Sequence, residues 1–271
     1  MPNRRAFIVY PPGGTYPSNI SILLRETCLF EVRVVGGATR REIVEGLEWL
    51  AAGAVAGDTL LFFYQGPGSD PLRSSSVQDI EGWVQEFVPS DVDTVGYIDH
   101  HMIHQILIAP LPEGVRVLNV VDTYHDGSLF ELKHAVSIEA IRLSSAPALP
   151  VAIGDREYDN REWDVSVHIK RRSMYWEPKA QIVTMAPGRF NDSTTEIIDT
   201  QNEQTYKIVS LVFQALEDVC SENPSLFAKT PLIVICKQVA AELQMSREDS
   251  KSRLILSCSN KPLSALISYL D

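Results

Sequence analysis

Six short apolar runs that alternate with helical patterns constrain the fold of this 271-residue chain most strongly. The runs cover residues 5–10, 31–35, 58–65, 115–123, 180–186 and 252–258. Strands that alternate with helices are typical of a parallel sheet, because each crossover between parallel strands leaves room for a helix. The pattern predicts an α/β fold with a mainly parallel six-stranded sheet and helices on both faces.

Two helix starts support this interpretation. Thr39 and Glu42 form a capping-box pattern, and the apolar residues that follow at helical spacing are Ile43, Leu47 and Leu50. Thr230 is a suitable N-cap because Pro231 follows it at the first helical position. We therefore expect one helix after Thr39 and another after Thr230.

Two loops leave the carboxyl ends of predicted strands, at residues 66–69 (GPGS) and 122–128 (DTYHDGS). In open parallel sheets, sites form at this edge, near the point where the strand order reverses. The sequence therefore predicts that the two loops face each other. The first loop lacks the Gly-Lys-Ser/Thr ending of a phosphate-binding loop, so nucleotide binding is not expected there.

Several segments resemble the caspase and metacaspase family (peptidase C14 caspase domain), and fungal type I metacaspases in particular. Besides the two loops, they are residues 5–10, 30–34, 38–43, 49–58, 106–116 and 253–262. The resemblance implies a caspase-like three-layer fold in a single domain, residues 1–271. It also implies a large-subunit-like half (5–134), a linker (135–178) and a small-subunit-like half (179–271).

The family's catalytic Cys and His are replaced in this chain. By the resemblance, Tyr124 occupies the Cys position and Pro67 the His position. A cysteine protease needs a thiolate to attack and an imidazole to move the proton. A phenol has an unperturbed pKa of about 10, and proline has no acid or base. His125 adjoins the nucleophile position, but in the family the base comes from the other loop. We therefore expect Tyr124 and Pro67 to be degenerate, inactive positions.

One acidic group of the family's substrate pocket remains. The family prefers basic residues before the scissile bond, and the resemblance assigns that recognition partly to Asp122. The segment that supplies a second acid in the family is PSNIS here (17–21) and has no carboxylate. Asp122 is therefore a candidate substrate-binding residue. The alternative is a structural role, in which it caps the following loop.

No calcium, other metal or cofactor is expected. Metacaspases are often calcium-activated through a cluster of acidic residues. By the resemblance, His100 and His101 replace an Asp pair of that cluster, and Glu131 replaces a further Asp. Calcium requires several hard oxygen ligands. His100 and His104 have a spacing that suits a transition metal, but no third ligand is apparent. A partly exposed histidine helix is the preferred interpretation.

Composition restricts the partners and the compartment. The net charge is −11, from 24 basic and 35 acidic residues, which argues against nucleic acid or anionic membranes as partners. No apolar run approaches the roughly 18 residues of a membrane span, and the N-terminus runs directly into a strand without a leader. Four scattered cysteines favour a reducing compartment. The predicted location is the cytoplasm.

Residues 136–178 interrupt the alternation of strands and helices and are interpreted as part of the linker. Active relatives cleave themselves at basic residues in this region, and Lys170–Arg172 offers such a site. A solvated loop is the preferred interpretation of these three residues.

The first hypothesis for function is a pseudoprotease that acts by protein binding, with active metacaspases or their substrates and regulators as partners. The alternative is an active member of this endopeptidase family, in proteolysis and programmed cell death, or a hydrolase with rebuilt Ser/His/Asp chemistry. The residues available for such a rebuilt site are Ser69, Asp122, Tyr124, His125, Asp126 and Ser128. A product without a selected role is a third possibility.

Overall fold

The computed structural model describes residues 2–14, 18–68, 86–123, 130–142, 163–171, 176–187, 195–198, 207–210, 236, 239 and 253–259. Strands of the main sheet are β1 (Arg4–Tyr10), β2 (Glu31–Gly36), β3 (Thr59–Gln65), β6 (Arg116–Asp122), β7 (His134–Arg142), β8 (Trp163–Arg171), β9 (Gln181–Pro187) and β12 (Arg253–Cys258). Two small sheets pair β4 (Glu86–Phe87) with β5 (Ile98–Asp99), and β10 (Thr195–Ile198) with β11 (Lys207–Ser210).

The described helices lie in the first half of the chain. They are α1 (Ser18–Ile22), α2 (Arg40–Ala51), α3 (Val92–Val95) and α4 (His100–Ile103). α1 continues into a π-helical turn, Leu23–Thr27, and α4 into another, His104–Ile108. None of the described helices is long and apolar enough to cross a membrane. The helix predicted after Thr230 lies largely outside the described residues, although Cys236 and Val239 are helical.

The main sheet has the order β2-β1-β3-β6-β9-β12-β7-β8. Its first five strands are mutually parallel, and β12, β7 and β8 continue it with antiparallel pairs. The chain passes outward from β1 to β2 and then returns to the other side of β1 as β3. The strand order therefore reverses between β1 and β3, which is where sites form in open α/β sheets.

The mainly parallel α/β prediction is confirmed, and all six predicted strands are present, but the number six is wrong. The two extra strands, β7 and β8, lie almost wholly inside the predicted linker, 135–178. They form an antiparallel hairpin paired from His134↔Arg171 to Arg142↔Trp163. Lys170 and Arg171 belong to β8, so the loop interpretation of these two residues is also wrong.

The signal for β8 was present in the sequence but was outweighed by the charged stretch before it. Val165, Val167 and Ile169 alternate with Asp164, Ser166 and His168, which is the period of a strand with unlike faces. A strand of this kind contrasts with the continuous apolar runs of the parallel strands, which are buried on both faces.

Helix α2 begins as predicted, with a complete capping box. The Glu42 carboxylate accepts the Thr39 backbone N–H at 2.8 Å, and the Glu42 N–H donates to the Thr39 hydroxyl at 3.3 Å. The bond from the Thr39 backbone is the largest cause of the lowered pKa of Glu42. At the other end, the buried Arg5 guanidinium donates to the carbonyls of Trp49 and Ala52, both at 2.7 Å. These contacts attach both ends of α2 firmly to their surroundings.

Both faces of the parallel sheet are buried. On the face that α2 covers, the core includes Phe7, Phe62, Val117 and Ile182. The opposite face is equally buried: its strand residues Ile8, Phe63, Leu118, Val120 and Met185 are each 0% exposed. This two-sided burial matches the expected three-layer arrangement.

Gly46 sets the distance between α2 and the sheet. A Cβ atom at this position would lie 2.0 Å from the Phe7 ring, which is 1% exposed and stacked on Phe62 at 5.9 Å between centroids. Because the Phe7 ring has no free space to move into, α2 can approach β1 this closely only if residue 46 has no side chain.

Gly46→Ala is therefore expected to lower the free energy of unfolding by about 1–3 kcal/mol, the usual effect of overpacking a core. Urea unfolding measures the change, and Glu45→Ala, an exposed position on the same helix, is the matched control. Combining Gly46→Ala with Phe7→Leu should cost less than the sum of the two single changes, because the smaller side chain makes room. Strict additivity would contradict this account.

Candidate functional site

The carboxyl ends of β3 and β6 lie side by side, as the sequence predicted. These neighbouring parallel strands pair from Thr59↔Arg116 to Gln65↔Asp122. The Gly66 N–H then donates to the Asp122 carbonyl at 3.3 Å, so the contact continues one residue into the loop. The two loops therefore begin next to each other, close to the point where the strand order reverses.

A buried tyrosine holds the first loop in place. The Tyr64 side chain is 2% exposed, and its hydroxyl oxygen lies 3.2 Å from the Pro67 carbonyl and 3.4 Å from the Val88 carbonyl. The Val88 N–H donates to the Tyr64 hydroxyl at 3.2 Å and to the Pro67 carbonyl at 3.3 Å. We call this group (Tyr64, Pro67 and Val88) the tyrosine clamp.

Ring stacking and backbone pairing reinforce the clamp. The Tyr64 and Phe87 rings stack at 3.8 Å between centroids and 25° between planes, and Gly68 forms a β-bridge with Phe87. A Cβ atom at Gly66 would lie 2.9 Å from the Tyr64 hydroxyl oxygen, so glycine is needed where the loop passes over the ring. Burial raises the pKa of Tyr64 well above its ordinary value of 10, so the phenol keeps its proton at neutral pH.

Pro67 is exposed at the surface of this fixed loop. Its backbone carbonyl belongs to the clamp, but its side chain provides neither a proton acceptor nor a donor. The loop therefore has a defined position at the strand edge and carries no acid–base group at residue 67.

The second loop is described only at its start. Asp122 and Thr123 are 1% and 3% exposed. Tyr124, His125, Asp126 and Ser128, as well as Ser69 of the first loop, lie outside the described residues. The substrate-binding role of Asp122 and the degenerate role of Tyr124 stay predictions, and so does the rebuilt Ser/His/Asp site.

The described cysteines are buried and are poor nucleophiles. Burial raises the pKa of Cys28, raises that of Cys236 well above the ordinary value, and raises that of Cys258 to about 12. All three are free thiols. Since the thiolate is the reactive form, these three thiols are protonated and unreactive at neutral pH.

The three neighbouring histidines make contacts that the sequence did not indicate. His100 is buried, and its Nε2 lies 3.6 Å from the Glu131 carboxylate. The His104 ring stacks on Trp176 at 4.0 Å and 24°, and His101 meets the same indole edge-on at 5.9 Å and 84°. Within the described part of the chain, no group of three or more His, Cys, Asp or Glu residues is arranged to hold a metal ion.

Sequence reasoning placed His100, His101 and His104 on one helix and grouped Glu131 with His100 and His101 at the family's calcium positions, but it missed Trp176. Trp176 lies more than 70 positions beyond His104, and no local pattern links them. The sequence also gave no reason to single out Tyr64, because a tyrosine at the end of an apolar strand resembles any other core residue.

Comparisons with known proteins find that the first half of the chain is similar to one family. Residues 15–133 match the model described as metacaspase, peptidase C14 domain. Metacaspase-1 of Plasmodium falciparum is 34% identical over 102 residues, which are 38% of this chain and 16% of that protein. Inactive metacaspase-4 of Trypanosoma brucei brucei is 39% identical over 100 residues, 37% of this chain and 28% of that protein. The matched segment thus spans less than a third of either relative.

A solved structure shares the fold of nearly the whole chain. Protein GSU0716 from Geobacter sulfurreducens superposes with a TM-score of 0.59 and 14% sequence identity, covering 98% of this chain and 97% of that protein. At this identity the likeness concerns the fold alone.

The tyrosine clamp leads to a measurable prediction. Tyr64→Phe is expected to lower the free energy of unfolding by about 1–2 kcal/mol, because the hydroxyl is buried and its backbone partners lose it. Urea unfolding tests this, with Tyr97→Phe, an exposed tyrosine, as the matched control. Equal stability of Tyr64→Phe and the unchanged protein would show that the clamp contributes nothing.

Proposed function

We propose that this chain, whose residues 15–133 belong to the metacaspase peptidase C14 family, is a pseudoprotease that acts by binding other proteins. The proposal depends mainly on one observation: the loop that follows β3 is fixed beside the end of β6, and at its exposed position it carries Pro67. A loop held this firmly, without a base, suits a binding surface and does not suit proton transfer.

The nucleophile position supports the same conclusion. By the family resemblance Tyr124 stands where the attacking cysteine is expected, and the described thiols are buried with raised pKa values. The rebuilt hydrolase has no observation of this kind behind it, since its Ser and His residues lie outside the described residues.

One relative offers a precedent within the family. The trypanosomal protein that is 39% identical over 100 residues is named an inactive metacaspase. A fold can keep its shape and lose its chemistry, because function depends on the site residues and not on the scaffold.

For the partner, we propose an active metacaspase or one of the proteins that such an enzyme cleaves or is regulated by. The bound surface is the strand edge formed by the loop 66–68 and the end of β6. The family resemblance places the substrate cleft of an active enzyme at this edge, so the partners that suit it are the substrates of related enzymes or the enzymes themselves. We place this activity in the cytoplasm.

Absence of proteolysis is the first test. Purified protein is expected not to cleave Arg- or Lys-terminated peptide reporters, with or without calcium, and millimolar calcium should leave its melting temperature unchanged.

Tyr124→Cys combined with Pro67→His should also fail to restore efficient cleavage, because two residues do not supply the whole constellation that binds the transition state.

Three results would contradict this prediction. Turnover by the unchanged protein that Asp122→Ala abolishes would indicate an active enzyme. Covalent labelling of Ser69 or Ser128 by a fluorophosphonate would indicate a rebuilt hydrolase. Vigorous calcium-dependent cleavage by the double variant would mean that only the two catalytic residues had been lost.

The binding surface is tested by placing a charge at either end of β3. Pro67 and Val55 are both exposed apolar residues, but Val55 precedes β3 and Pro67 follows it, so they lie at opposite edges of the sheet. Pro67→Glu is expected to weaken binding to a purified active metacaspase at least tenfold, or about 1.4 kcal/mol. Val55→Glu should leave the affinity unchanged. Calorimetry measures both, and equal effects of the two changes would move the interface elsewhere.

A further inference from the structure

Five side chains from three separate stretches of the chain form one compact group. His100, His101 and His104 come from α4 and the π-helical turn after it, Glu131 follows the second loop, and Trp176 precedes β9. We call this group the imidazole latch. It lies outside the strand edge assigned to binding, and no part of the proposed function uses it.

The latch joins segments that are far apart in the chain. Trp176 donates its backbone N–H to the Glu131 carbonyl at 2.9 Å, and Leu132 and Trp176 form a parallel β-bridge. The His104 ring stacks on the Trp176 indole at 4.0 Å between centroids, and the His101 ring contacts the indole edge-on at 5.9 Å. The segment that leads into β9 is thus held against α4 by aromatic contacts to imidazoles.

Strain in the backbone accompanies this contact. Glu131 has φ +42°, in the left-handed region that non-glycine residues seldom adopt. Such a conformation persists only where the surroundings enforce it. The Trp176 N–H bond and the contact of the Glu131 carboxylate with His100 are the interactions that hold it here.

We propose that the imidazole latch is acid-sensitive: it holds the segment at Trp176 against α4 while His104 is neutral, and it releases that segment when the ring is protonated. The arrangement contains three imidazoles, and Glu131 faces only one of them. Protonation of His104 therefore adds a positive charge beside the other two imidazoles, whose ring centroids lie 4.2 Å apart.

The other charged groups around the latch do not offset this repulsion. Asp99 is engaged as the N-cap of α4, where its carboxylate accepts the Met102 N–H at 2.7 Å. From α2, the Arg40 guanidinium lies 3.4 Å from the Met102 sulfur and adds a positive charge. Beside Trp176, Lys133 and Glu177 form an ion pair at 3.3 Å, so together they add no net charge.

Two effects on His104 oppose each other. A protonated ring over the indole gains a cation–π attraction, which favours the charged form. Burial of the ring and, after it, the neighbouring His101 and His100 disfavour that form, and they hold the pKa of His104 below its ordinary value of 6.5. Because the folded pKa is lowered, the stability from this group is present above the unfolded pKa and is lost as pH falls through the folded pKa.

Nuclear magnetic resonance of the histidine side chains of the full chain tests the proposal directly. His104→Gln identifies the resonance, and in the unchanged protein His104 should titrate below 6.5. Trp176→Ala should move that pKa upward, because the ring regains water. His101→Gln should move it in the same direction with less disturbance of packing, and it serves if the tryptophan variant does not fold.

Hydrogen exchange of the Trp176 amide reports the release itself. After correction for the intrinsic rate, its protection should fall on acidification by up to about tenfold per pH unit between the pKa of the released His104 ring and its lower pKa in the folded state. In His104→Gln this pH dependence should disappear. Lys133→Met, which removes the adjacent ion pair with Glu177, should leave the ratio between pH 7.5 and pH 5.5 unchanged.

Either of two outcomes would overturn the proposal. The first is a His104 pKa at or above 6.5 in the unchanged protein. The second is an acid-induced loss of protection at Trp176 that persists in His104→Gln.

Discussion

The parallel pairing of β3 with β6 is the interaction on which the rest of the structure depends. Both strands are buried on two faces, so their register is set by packing on either side as well as by the ladder of hydrogen bonds. A shift of one residue would turn every side chain to the opposite face. It would also separate Gly66 from Asp122, whose contact at 3.3 Å places the two loops together. The geometry of the strand edge is therefore a consequence of the core.

The periphery of the fold is attached to this core by a few buried polar groups. The Asp58 carboxylate is 0% exposed and accepts the backbone N–H groups of Asn3 at 2.7 Å and Val55 at 3.0 Å, which fixes the turn before β3. Arg5 fixes the end of α2 in a similar way, because its guanidinium donates to the Trp49 and Ala52 carbonyls. Buried charges are costly unless they are hydrogen-bonded, so these residues stabilise one arrangement and penalise its alternatives.

The parallel half of the sheet could be predicted from the sequence because its strands carry their own signals. Runs such as LLFF, residues 60–63, are apolar at every position, and the Thr39–Glu42 box marks the following pattern as a helix. The hairpin β7–β8 was missed because its strands are half polar and border charged segments. In the site, the meeting of the two loops follows from strand order alone. The stacking of Trp176 on His104 does not, since contacts between residues far apart in sequence leave no local pattern.

The tyrosine clamp has a consequence for recognition that does not require chemistry. A flexible loop loses conformational freedom when it binds, and this loss subtracts from the affinity. The loop 66–68 has already lost much of that freedom during folding, through the bonds of its backbone to Tyr64 and Val88. A partner with a complementary surface therefore binds without most of the entropy loss that ordering a flexible loop would cause. Under the proposed function, the stiffness of this loop favours tight association and does not serve to aim a catalytic group.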